Sequence, residues 1–258
     1  MSDRIQVLSF GGGVQTVAML RMVLAGDMPR PDAVVFSDTG DEQVATYEAI
    51  ERERREAERV DLPFFKVDNG IKLSDAMKAG QGVFSPAFTK SARQPEGRLP
   101  FKSCTGRFKI EPMRRFFREQ GWDRVSVWLG ITTDEIKRVK PSDVQWAENK
   151  HPFIDQGVRR AECEGVLNEL GLPLVKSACV HCPNRTHFGW ETVKAVDADW
   201  ERAVAVDQSL RHSSDEYETF VHRDRRPIED VVQLPQPGLF DDIDQMDAQA
   251  ECEGICHE

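Results

Sequence analysis

The sequence predicts an α/β protein, a doubly wound and mostly parallel sheet with helices on both faces. Two observations support this prediction. Apolar, β-branched runs alternate with helical patterns through the first half of the 258 residues, and short polar segments, most of them containing glycine, follow the predicted strands. Such alternation implies right-handed crossovers between parallel strands. The carboxyl ends of the strands then share one edge of the sheet, where these folds bind their ligands.

The elements follow in a regular order along the chain. Residues 5–10 (IQVLSF) contain Ile5, Val7 and Leu8 and predict a strand, and the apolar spacing of residues 14–25 predicts the helix after it. The alternation continues through the predicted strands 33–40, 63–67 and 124–131 and the predicted helices 42–60 and 107–121.

The chain divides into three predicted parts. Residues 1–140 hold the sheet, and within them residues 80–103, rich in Gly, Pro and Ser, are expected to be a mobile substrate loop rather than a disordered segment. Residues 141–228 are expected to form an irregular, cysteine-bearing helical region packed on the sheet. Residues 229–258 are expected to form an acidic, flexible tail without regular structure.

The charge distribution and the hydropathy of the chain exclude several functional classes. The net charge is −10, but the tail holds nine acidic residues and no Lys or Arg, so the remainder of the chain is nearly neutral. This distribution does not fit a general nucleic-acid binder, although local basic runs can still hold phosphates. No apolar run is long enough to span a membrane, and no secretory signal pattern is present. We therefore expect a cytoplasmic protein without a membrane partner.

Three consecutive glycines, Gly11, Gly12 and Gly13, separate the first predicted strand from the first predicted helix. Glycine lets a ligand approach the backbone, and a helix N-terminus offers free N–H groups and a positive dipole end. Two interpretations of the turn follow. It is a binding site for phosphate or sulfate, or it is only a tight connection between strand and helix. Because Val14 and Gln15 follow, neither the dinucleotide fingerprint nor the Walker pattern is matched.

The cysteine spacing indicates metal binding or thiol chemistry. In a reducing compartment, six cysteines are more often ligands or nucleophiles than disulfides. Cys179 and Cys182 form a C-x-x-C pair, typical of half a zinc or iron–sulfur site and also of a redox dithiol. Two further thiolates would complete a [4Fe–4S] cluster, the expected cofactor, with Zn²⁺ as the alternative. The remaining candidate ligands are Cys104, Cys163, His181 and His187.

Three cysteines are candidate catalytic residues. Cys104 lies at the start of a predicted helix beside three basic residues, so a lowered pKa and a reactive thiolate are expected there, with or without a metal. Cys252 and Cys256 lie near the end of the tail, in ECEGICHE. There they would swing into the active site, pass sulfur as a persulfide, or do nothing in an unordered terminus.

Taken in order, these motifs resemble the phosphoadenosine-phosphosulfate (PAPS) reductase family, within the PP-loop (adenine nucleotide alpha hydrolase-like) superfamily of Rossmann-like, HUP-type domains. LSFGGGVQT resembles the glycine turn of that superfamily, VVFSDTGDE its second strand end, and WLGITTDEIKR a segment that borders the nucleotide. HPFIDQGVRR and the cysteines after it resemble a cysteine-bearing branch found in phage and bacterial genomes. Together the segments cover about three quarters of the chain.

The resemblance implies an adenine-nucleotide site at the strand ends. The N–H groups of residues 11–14 and the hydroxyls of Ser9 and Thr16 would hold a phosphate or sulfate. Asp38 would accept from the adenine amino group or a ribose hydroxyl, bind Mg²⁺ if the ligand is ATP, or cap the next helix. Gln15 stands where ATP-cleaving members usually carry Asp and sulfonucleotide reductases commonly carry Gln. The implied residues are Ser9, Gly11, Gly12, Gly13, Val14, Gln15, Thr16, Asp38, Thr39, Gly40, Gly130, Glu135, Arg138, Arg159 and Arg160, with Arg107 and Lys109 as further candidates for a distal phosphate.

Three functions are compatible with this resemblance. In the first, the enzyme adenylates an acceptor with ATP and transfers sulfur to it from a thiolate, persulfide or cluster. The acceptor would be tRNA, DNA or a small molecule, and a sulfur donor or thioredoxin-like reductant would be a partner. In the second, a sulfonucleotide reductase, Cys256 or Cys252 attacks PAPS or APS and sulfite is released. In the third, the chain is a non-catalytic nucleotide-binding subunit of a modification or defence complex. A homodimer is the expected assembly.

Overall fold

The computed structural model describes residues 4–79, 87–98, 104–211 and 216–232. A π-helical turn at Gly106–Ile110 precedes α4, and a 3₁₀ helix at Thr133–Arg138 follows β6. In chain order the elements are β1 (Ile5–Phe10), α1 (Val14–Ala25), β2 (Ala33–Asp38), α2 (Val44–Glu58), β3 (Phe64–Asp68), α3 (Leu73–Lys78), β4 (Phe88–Ser91), β5 (Gln94–Arg98), α4 (Glu111–Glu119), β6 (Val125–Trp128), β7 (Ala147–Lys150), α5 (Pro152–Asp155), α6 (Arg160–Glu169), α7 (His187–Lys194), α8 (Asp197–Arg211), β8 (Glu218–Phe220) and α9 (Ile228–Val231).

The central sheet has five parallel strands in the order β3-β2-β1-β6-β7. The chain first builds the sheet outward from β1 to β3 and then returns to the other side of β1 with β6. This change of direction next to β1 creates a crevice at the carboxyl ends of the strands. The predicted fold class, a doubly wound α/β sheet, is confirmed.

Helices cover both faces of the sheet, because alternate residues of a strand point to opposite sides. Leu8 and Phe10 of β1 lie in a core formed with side chains of α1, α2 and α6. Val7, between them in sequence, lies in a second core on the opposite face with Met113 and Phe117 of α4. The sheet is thus buried on both sides, and only its edges are available to ligands.

A second unit packs beside the sheet and has its own core. Its side chains come from α3, α7, α8 and α9, with Trp190 and Val206 among the buried ones. β4 pairs antiparallel with both β5 and β8. Residues 88–98, which the sequence analysis assigns to a mobile loop, thus contain two strands. The local sequence does not predict these two strands, because the partner strand β8 lies more than a hundred residues further along the chain.

Parts of the sequence predictions fall outside the described residues. These parts are the remainder of the loop at 80–103 and the acidic tail beyond Val232, which contains Cys252 and Cys256. Among the helices that the structure describes, none combines the length and apolar character needed to cross a membrane.

Two buried carboxylates of α8 accept hydrogen bonds from backbone N–H groups, one from α2 and the other from residues within the second unit. Asp199, 1% exposed, accepts from the N–H of Val44 at the start of α2, at 3.0 and 3.3 Å. Asp207 accepts from the N–H groups of Val221 and Ile228, at 2.9 and 3.3 Å. Asp199 therefore supplies the N-terminal cap that α2 lacks locally, since its N-cap residue makes no side-chain capping bond.

Replacing Asp199 with Ala is expected to lower the free energy of unfolding by about 1–2 kcal/mol, because the first N–H of α2 loses its acceptor inside the protein. Asp199→Asn keeps an acceptor oxygen and should lose less. Urea unfolding followed by circular dichroism measures both changes. Glu201→Ala, at an exposed position of the same helix, is the control and should stay within about 0.5 kcal/mol of the parent. Equal stability of Asp199→Ala and Glu201→Ala would contradict the capping role.

Candidate functional site

The glycine turn connects β1 to α1 at the carboxyl edge of the sheet. Gly12 has a φ of +79°, and a Cβ placed there would lie 3.0 Å from Ile50 Cγ1 and 3.1 Å from Thr46 Cγ2. The backbone therefore packs directly on α2, with no room for a side chain. Gly13 is the N-cap residue of α1 and provides no side-chain cap. The first turn of α1 thus reaches the sheet edge with its positive dipole end, as the sequence analysis expects.

A segment of the cysteine-bearing region lies against this turn. The carbonyl of Val175 accepts from the N–H of Val14 at 3.1 Å, and the hydroxyl of Ser177 donates to the carbonyl of Gly11 at 2.5 Å. The N–H of Gly11 donates to the hydroxyl of Thr16 at 3.2 Å. Two of the four amides predicted to hold an anion therefore have protein acceptors. For a phosphate to bind the Val14 amide, the segment has to move away from the turn.

Asp38, at the end of β2, is surrounded by donors. Its Oδ1 accepts from the hydroxyl of Tyr47 and the N–H of Gly40, both at 2.8 Å, and its Oδ2 pairs with Lys66 Nζ at 2.6 Å. Burial and the Asp38 carboxylate raise the pKa of Tyr47 above its usual range. Asp38 does not cap α2, which Asp199 caps instead, so that part of the prediction is wrong. Any contact of Asp38 with a nucleotide or Mg²⁺ would compete with these donors.

Gln15 joins a polar network with residues distant in sequence. Its Nε2 donates to Glu135 Oε2 at 3.0 Å, and its Oε1 accepts from Arg160 Nη1 at 3.3 Å. Arg138 Nη1 donates to Glu135 Oε1 at 2.5 Å. The structure thus brings together four residues that the resemblance assigns to the nucleotide site. Both the nitrogen and the oxygen of the Gln15 side-chain amide are hydrogen-bonded in this network, at the start of α1.

The other predicted nucleotide residues lie around this network. Gly130 is buried two residues after the end of β6. Arg159 is exposed at the start of α6, where its N–H donates to Glu162 at 2.7 Å. Ser9, at the end of β1, lines the cavity described next.

A cavity of about 280 Å³ opens at the carboxyl ends of β1 and β2 and beneath α4. Its volume is close to the lower end of small-molecule sites, about 300 Å³. Its apolar walls suit a planar base, and the polar and charged side chains beside them can contact a sugar or a phosphate. The apolar lining includes Phe36, Met113, Phe117 and Leu129, and the polar lining includes Ser9, Ser37, Lys109, Arg114, Lys140, Ser142, Asp143 and Asn149.

The C-x-x-C loop packs against the loop that follows β2. Cys179 forms an antiparallel bridge with Glu42, and the N–H of Val180 donates to the carbonyl of Asp41 at 2.8 Å. The Cys179 thiol lies 3.2 Å from Thr39 Oγ1 and donates to Glu42 Oε1 at 3.8 Å. The predicted cysteine site and the predicted nucleotide loop therefore meet at the same edge of the sheet.

Three cysteines, a glutamate and a lysine form one cluster, here called the thiol chamber: Cys104, Cys179, Cys182, Glu42 and Lys109. Lys109 Nζ lies 3.7 Å from Glu42 Oε1, with side chains 12% and 0% exposed. Within the described residues, Glu42 Oε2 has no hydrogen-bond partner. All three thiols act electrostatically on Lys109. Because Lys109 also lines the cavity, it connects the cavity to the thiol chamber.

Burial decides the protonation of the thiol chamber. It raises the pKa of Cys104, with a further increase from Cys182 that Lys109 opposes, so the expected lowered pKa of Cys104 is wrong. Burial, followed by Glu42, raises the pKa of Cys179 well above its usual value. Burial alone would lower the pKa of Lys109, but Glu42 and the thiols raise it. At neutral pH the thiols of Cys104 and Cys179 are therefore protonated and lie next to a charged lysine.

The structure does not bring Cys163 to the thiol chamber. Its side chain is fully buried in the core that contains α1, whereas Cys104 and Cys179 border the core of the second unit. The described residues therefore supply three of the four thiolates of a Cys₄ cluster. Tetrahedral zinc requires thiolates about 3.8 Å apart. No three candidate ligand atoms of the chamber lie within 4.8 Å of one another in the described part of the chain, so these residues do not fit a single zinc ion. A [4Fe–4S] cluster would need a fourth ligand in addition to the three thiols.

His181, between the two cysteines of the C-x-x-C loop, is fully buried. Among the described residues neither of its ring nitrogens has a hydrogen-bond partner. Burial lowers its pKa to about 4, against the opposing effect of Asp41. The ring is therefore neutral at physiological pH and does not add charge to the loop.

Sequence reasoning missed two residues of this site. Glu42 stands in the VVFSDTGDE motif, but nothing local indicates that it would meet a cysteine from another part of the chain. Arg185 is 2% exposed, and its Nη2 donates to the carbonyl of Cys179 at 2.8 Å and to Gln43 Oε1 at 3.0 Å. Its guanidinium also lies over the ring of Trp190, with Arg185 Cζ 5.8 Å from the ring centroid. A buried arginine beside C-x-x-C is visible only in the folded structure.

The fold and the site define a nucleotide-binding α/β protein of the PP-loop class. The family model described as phosphoadenosine phosphosulfate reductase domain matches residues 5–166, more than half of the chain. The chain belongs to this family, whose members are generally enzymes acting on sulfonucleotides or by adenylation. A comparison with curated proteins finds no match. The matched range contains Cys104 and Cys163 and ends before the C-x-x-C loop.

Replacing Gly12 with Ala is expected to weaken adenine-nucleotide binding about tenfold or more, because a strained left-handed residue whose Cβ meets α2 distorts the turn. Gly26→Ala is the matched control, since Gly26 has a φ of +87° and its Cβ would meet nothing within 4 Å. This control should lose about 1 kcal/mol of stability and keep its affinity. Calorimetric titration with ATP and with PAPS tests both variants. Parental affinity in a folded Gly12→Ala protein would contradict the assignment of the turn.

Glu42→Gln and Lys109→Met are expected to change the reactivity of Cys179 in opposite directions. Removing the carboxylate lowers the pKa of the thiol and speeds its alkylation, whereas removing the ammonium raises the pKa and slows it. At pH values below the pKa of Cys179, each substitution should change the alkylation rate roughly threefold to tenfold. One pKa unit changes the thiolate fraction about tenfold in this range. Iodoacetamide labelling from pH 7 to 10, read by peptide mass spectrometry, measures the profiles.

Each single variant leaves one charge of a buried pair without its partner, so both are expected to lose stability. The double variant Glu42→Gln/Lys109→Met removes both charges and is the control for folding. Rates that move in the same direction in the two single variants, with the double variant folded, would rule out this electrostatic account.

Proposed function

We propose that the protein is an adenine-nucleotide-dependent enzyme that uses the thiols of the chamber to transfer sulfur to an acceptor activated by adenylation. The observation that supports this most is the position of Lys109. It lines the cavity and lies 3.7 Å from Glu42, which in turn contacts Cys179. A nucleotide in the cavity and a thiol in the chamber would then be separated by only a few side chains.

The base and sugar of the nucleotide would occupy the cavity, and its phosphates would extend toward the glycine turn. The positive dipole end of α1 favours an anion there once the segment around Val175 has moved away. Arg138 and Arg160 lie near the start of α1 through their bonds to Glu135 and Gln15. A guanidinium in this position can bind a distal phosphate in bidentate fashion once it exchanges its present partner.

In the proposed reaction, an acceptor oxygen attacks the α-phosphorus of ATP and pyrophosphate leaves. The terminal sulfur of a Cys179 persulfide, loaded by a separate sulfur donor, then attacks the activated carbon, and AMP leaves. The acceptor is now joined to Cys179 through a disulfide. The Cys182 thiol attacks the Cys179 sulfur, which releases the thiolated acceptor and leaves a Cys179–Cys182 disulfide. A thioredoxin-like reductant restores both thiols.

Glu42 and Lys109 have distinct roles in this scheme. Glu42 accepts the thiol hydrogen bond of Cys179 and is the nearby group that can take its proton. Lys109 favours the thiolate once that proton has left, because its charge opposes the effect of burial on the pKa of Cys179. Buried thiols that are protonated at rest would also be protected from oxidation until substrate binds.

A sulfonucleotide reductase is the second candidate, and Gln15 favours it. A carboxamide in place of a carboxylate supplies no charged ligand for the Mg²⁺ of ATP at the start of α1. In this scheme Cys256 or Cys252 attacks the sulfate sulfur of PAPS or APS, and a second thiol releases sulfite. Both of those cysteines lie outside the described residues.

Truncation separates the two schemes. A chain that ends at Val232 lacks the tail cysteines but keeps Glu229, which pairs with Arg211. Pyrophosphate release, AMP formation and thiolation of tRNA, DNA and small-molecule acceptors are measured with ATP, a labelled polysulfide as the donor of persulfide sulfur, and a thioredoxin-like reductant. Sulfite release is measured with labelled PAPS and APS. We expect the truncated chain to retain thiolation, and Cys179→Ser to release pyrophosphate without thiolating the acceptor. Cys163→Ser, in the hydrophobic core, is the matched control.

Other outcomes assign other functions. Sulfite release that disappears in Cys256→Ser or Cys252→Ser would establish the reductase instead. Nucleotide binding without turnover of any substrate would indicate a non-catalytic subunit of a modification or defence complex. Iron and acid-labile sulfide that disappear in Cys179→Ser would indicate a [4Fe–4S] cluster completed by a ligand outside the described residues.

A further inference from the structure

A second group of potential ligands lies where α7 begins and β8 ends. His187 is the first residue of α7, and His222 and Asp224 follow β8. One nitrogen of each imidazole and one oxygen of the carboxylate all lie within 4.8 Å of one another. The two rings are 5.1 Å apart between centroids. Neither the nucleotide site nor the thiol chamber uses these three side chains.

His222 has an unsatisfied polar atom inside the protein. Its ring is fully buried, and its Nε2 has no hydrogen-bond partner among the described residues. Its Nδ1 faces Asp224, accepting from the backbone N–H at 3.1 Å and lying 3.7 Å from the carboxylate. The nitrogen that faces Asp224 is Nδ1, so a metal ion shared with Asp224 would bind there and displace the hydrogen bond from the Asp224 N–H. Nε2 would then carry the proton of the neutral ring, the form in which imidazole is the commonest metal ligand in proteins.

The donor set matches a borderline divalent metal. Two imidazoles and one carboxylate form a zinc-binding combination, with ligand bonds of about 2.0–2.2 Å and a fourth position open to water. Tetrahedral zinc needs ligand atoms about 3.4 Å apart. His187 and Asp224 are exposed, so rotation of their side chains can shorten the present spacing around the buried His222. Arg223 and Arg226, which act electrostatically on His222, oppose a cation and limit its affinity.

We propose that His187, His222 and Asp224 bind a divalent transition metal of the zinc class. The metal would link the end of the cysteine loop, which runs directly into α7, to the strand β8 of the antiparallel sheet. It would therefore stabilise the second unit without taking part in the chemistry of the thiol chamber. This site is independent of the proposed function.

The test uses the full-length, untagged protein dialysed against Zn²⁺ and analysed for bound metal, with Co²⁺ as a spectroscopic substitute. We expect one equivalent of zinc, a rise in Tm on zinc addition, and cobalt ligand-field bands without the thiolate charge-transfer band that cysteine ligation produces. His187→Ala and Asp224→Ala, both at exposed positions, should weaken zinc binding about tenfold or more. Mutation of a residue that only supports a metal ligand already costs about tenfold or more in metal affinity. His222→Gln tests the buried ligand but carries a risk of misfolding.

The control variants separate this site from the thiol chamber. Cys179→Ser/Cys182→Ser should keep the equivalent of zinc, and His151→Ala, a histidine outside both sites, should behave as the parent. Zinc binding that is equal in the parent, His187→Ala and Asp224→Ala would overturn the proposal. A thiolate band in the cobalt spectrum that disappears in the cysteine variant would also overturn it, as would the absence of bound zinc after dialysis.

Discussion

The buried ion pair between Glu42 and Lys109 is the interaction on which the carboxyl edge of the sheet depends. Two charges withdrawn from water are tolerated only as partners, and losing one leaves the other at a large cost in stability. Glu42 follows β2, and Lys109 lies in the π-helical turn before α4, whose backbone accepts a hydrogen bond from Ser37 at 2.9 Å. The pair therefore fixes α4, and with it the roof of the cavity, against the end of β2.

The cysteine loop contacts the same ion pair at the edge of the sheet. Cys179 bridges to Glu42, and the preceding segment reaches the glycine turn through Val175 and Ser177. This loop lies beyond residues 5–166, the range that defines the family. Two features thus meet at one edge: a nucleotide fold shared across a family and a thiol loop outside the matched range. A ligand that binds at the glycine turn and a chemical change at the thiols would therefore both affect the contacts made by Val175, Ser177 and Cys179.

Burial explains why the chamber differs from a simple cluster of reactive cysteines. The charged side chains near Cys104 suggest a thiolate when the sequence is considered alone, but desolvation outweighs the lysine in the folded protein. Cys163 lies outside the chamber, since its helix α6 packs against α1 and its side chain is fully buried in the hydrophobic core there. Cys104 and Cys163 thus take different roles because their helices pack on different cores.

The sequence determined the features that depend on neighbours along the chain. Periodicity predicted the parallel sheet and most of its helices, and three glycines predicted the tight turn onto α1, because backbone sterics act locally. Local signals also identified Gln15, Glu135, Arg138 and Arg160, although only as separate motifs resembling those of a family. The tertiary structure alone decided that those four form one network, that Asp199 caps α2, that β4 pairs with β8, and that Glu42 and Lys109 join three thiols. Hydrogen-bond partners, ion pairing and desolvation are set by residues far apart in sequence, and no local pattern encodes them.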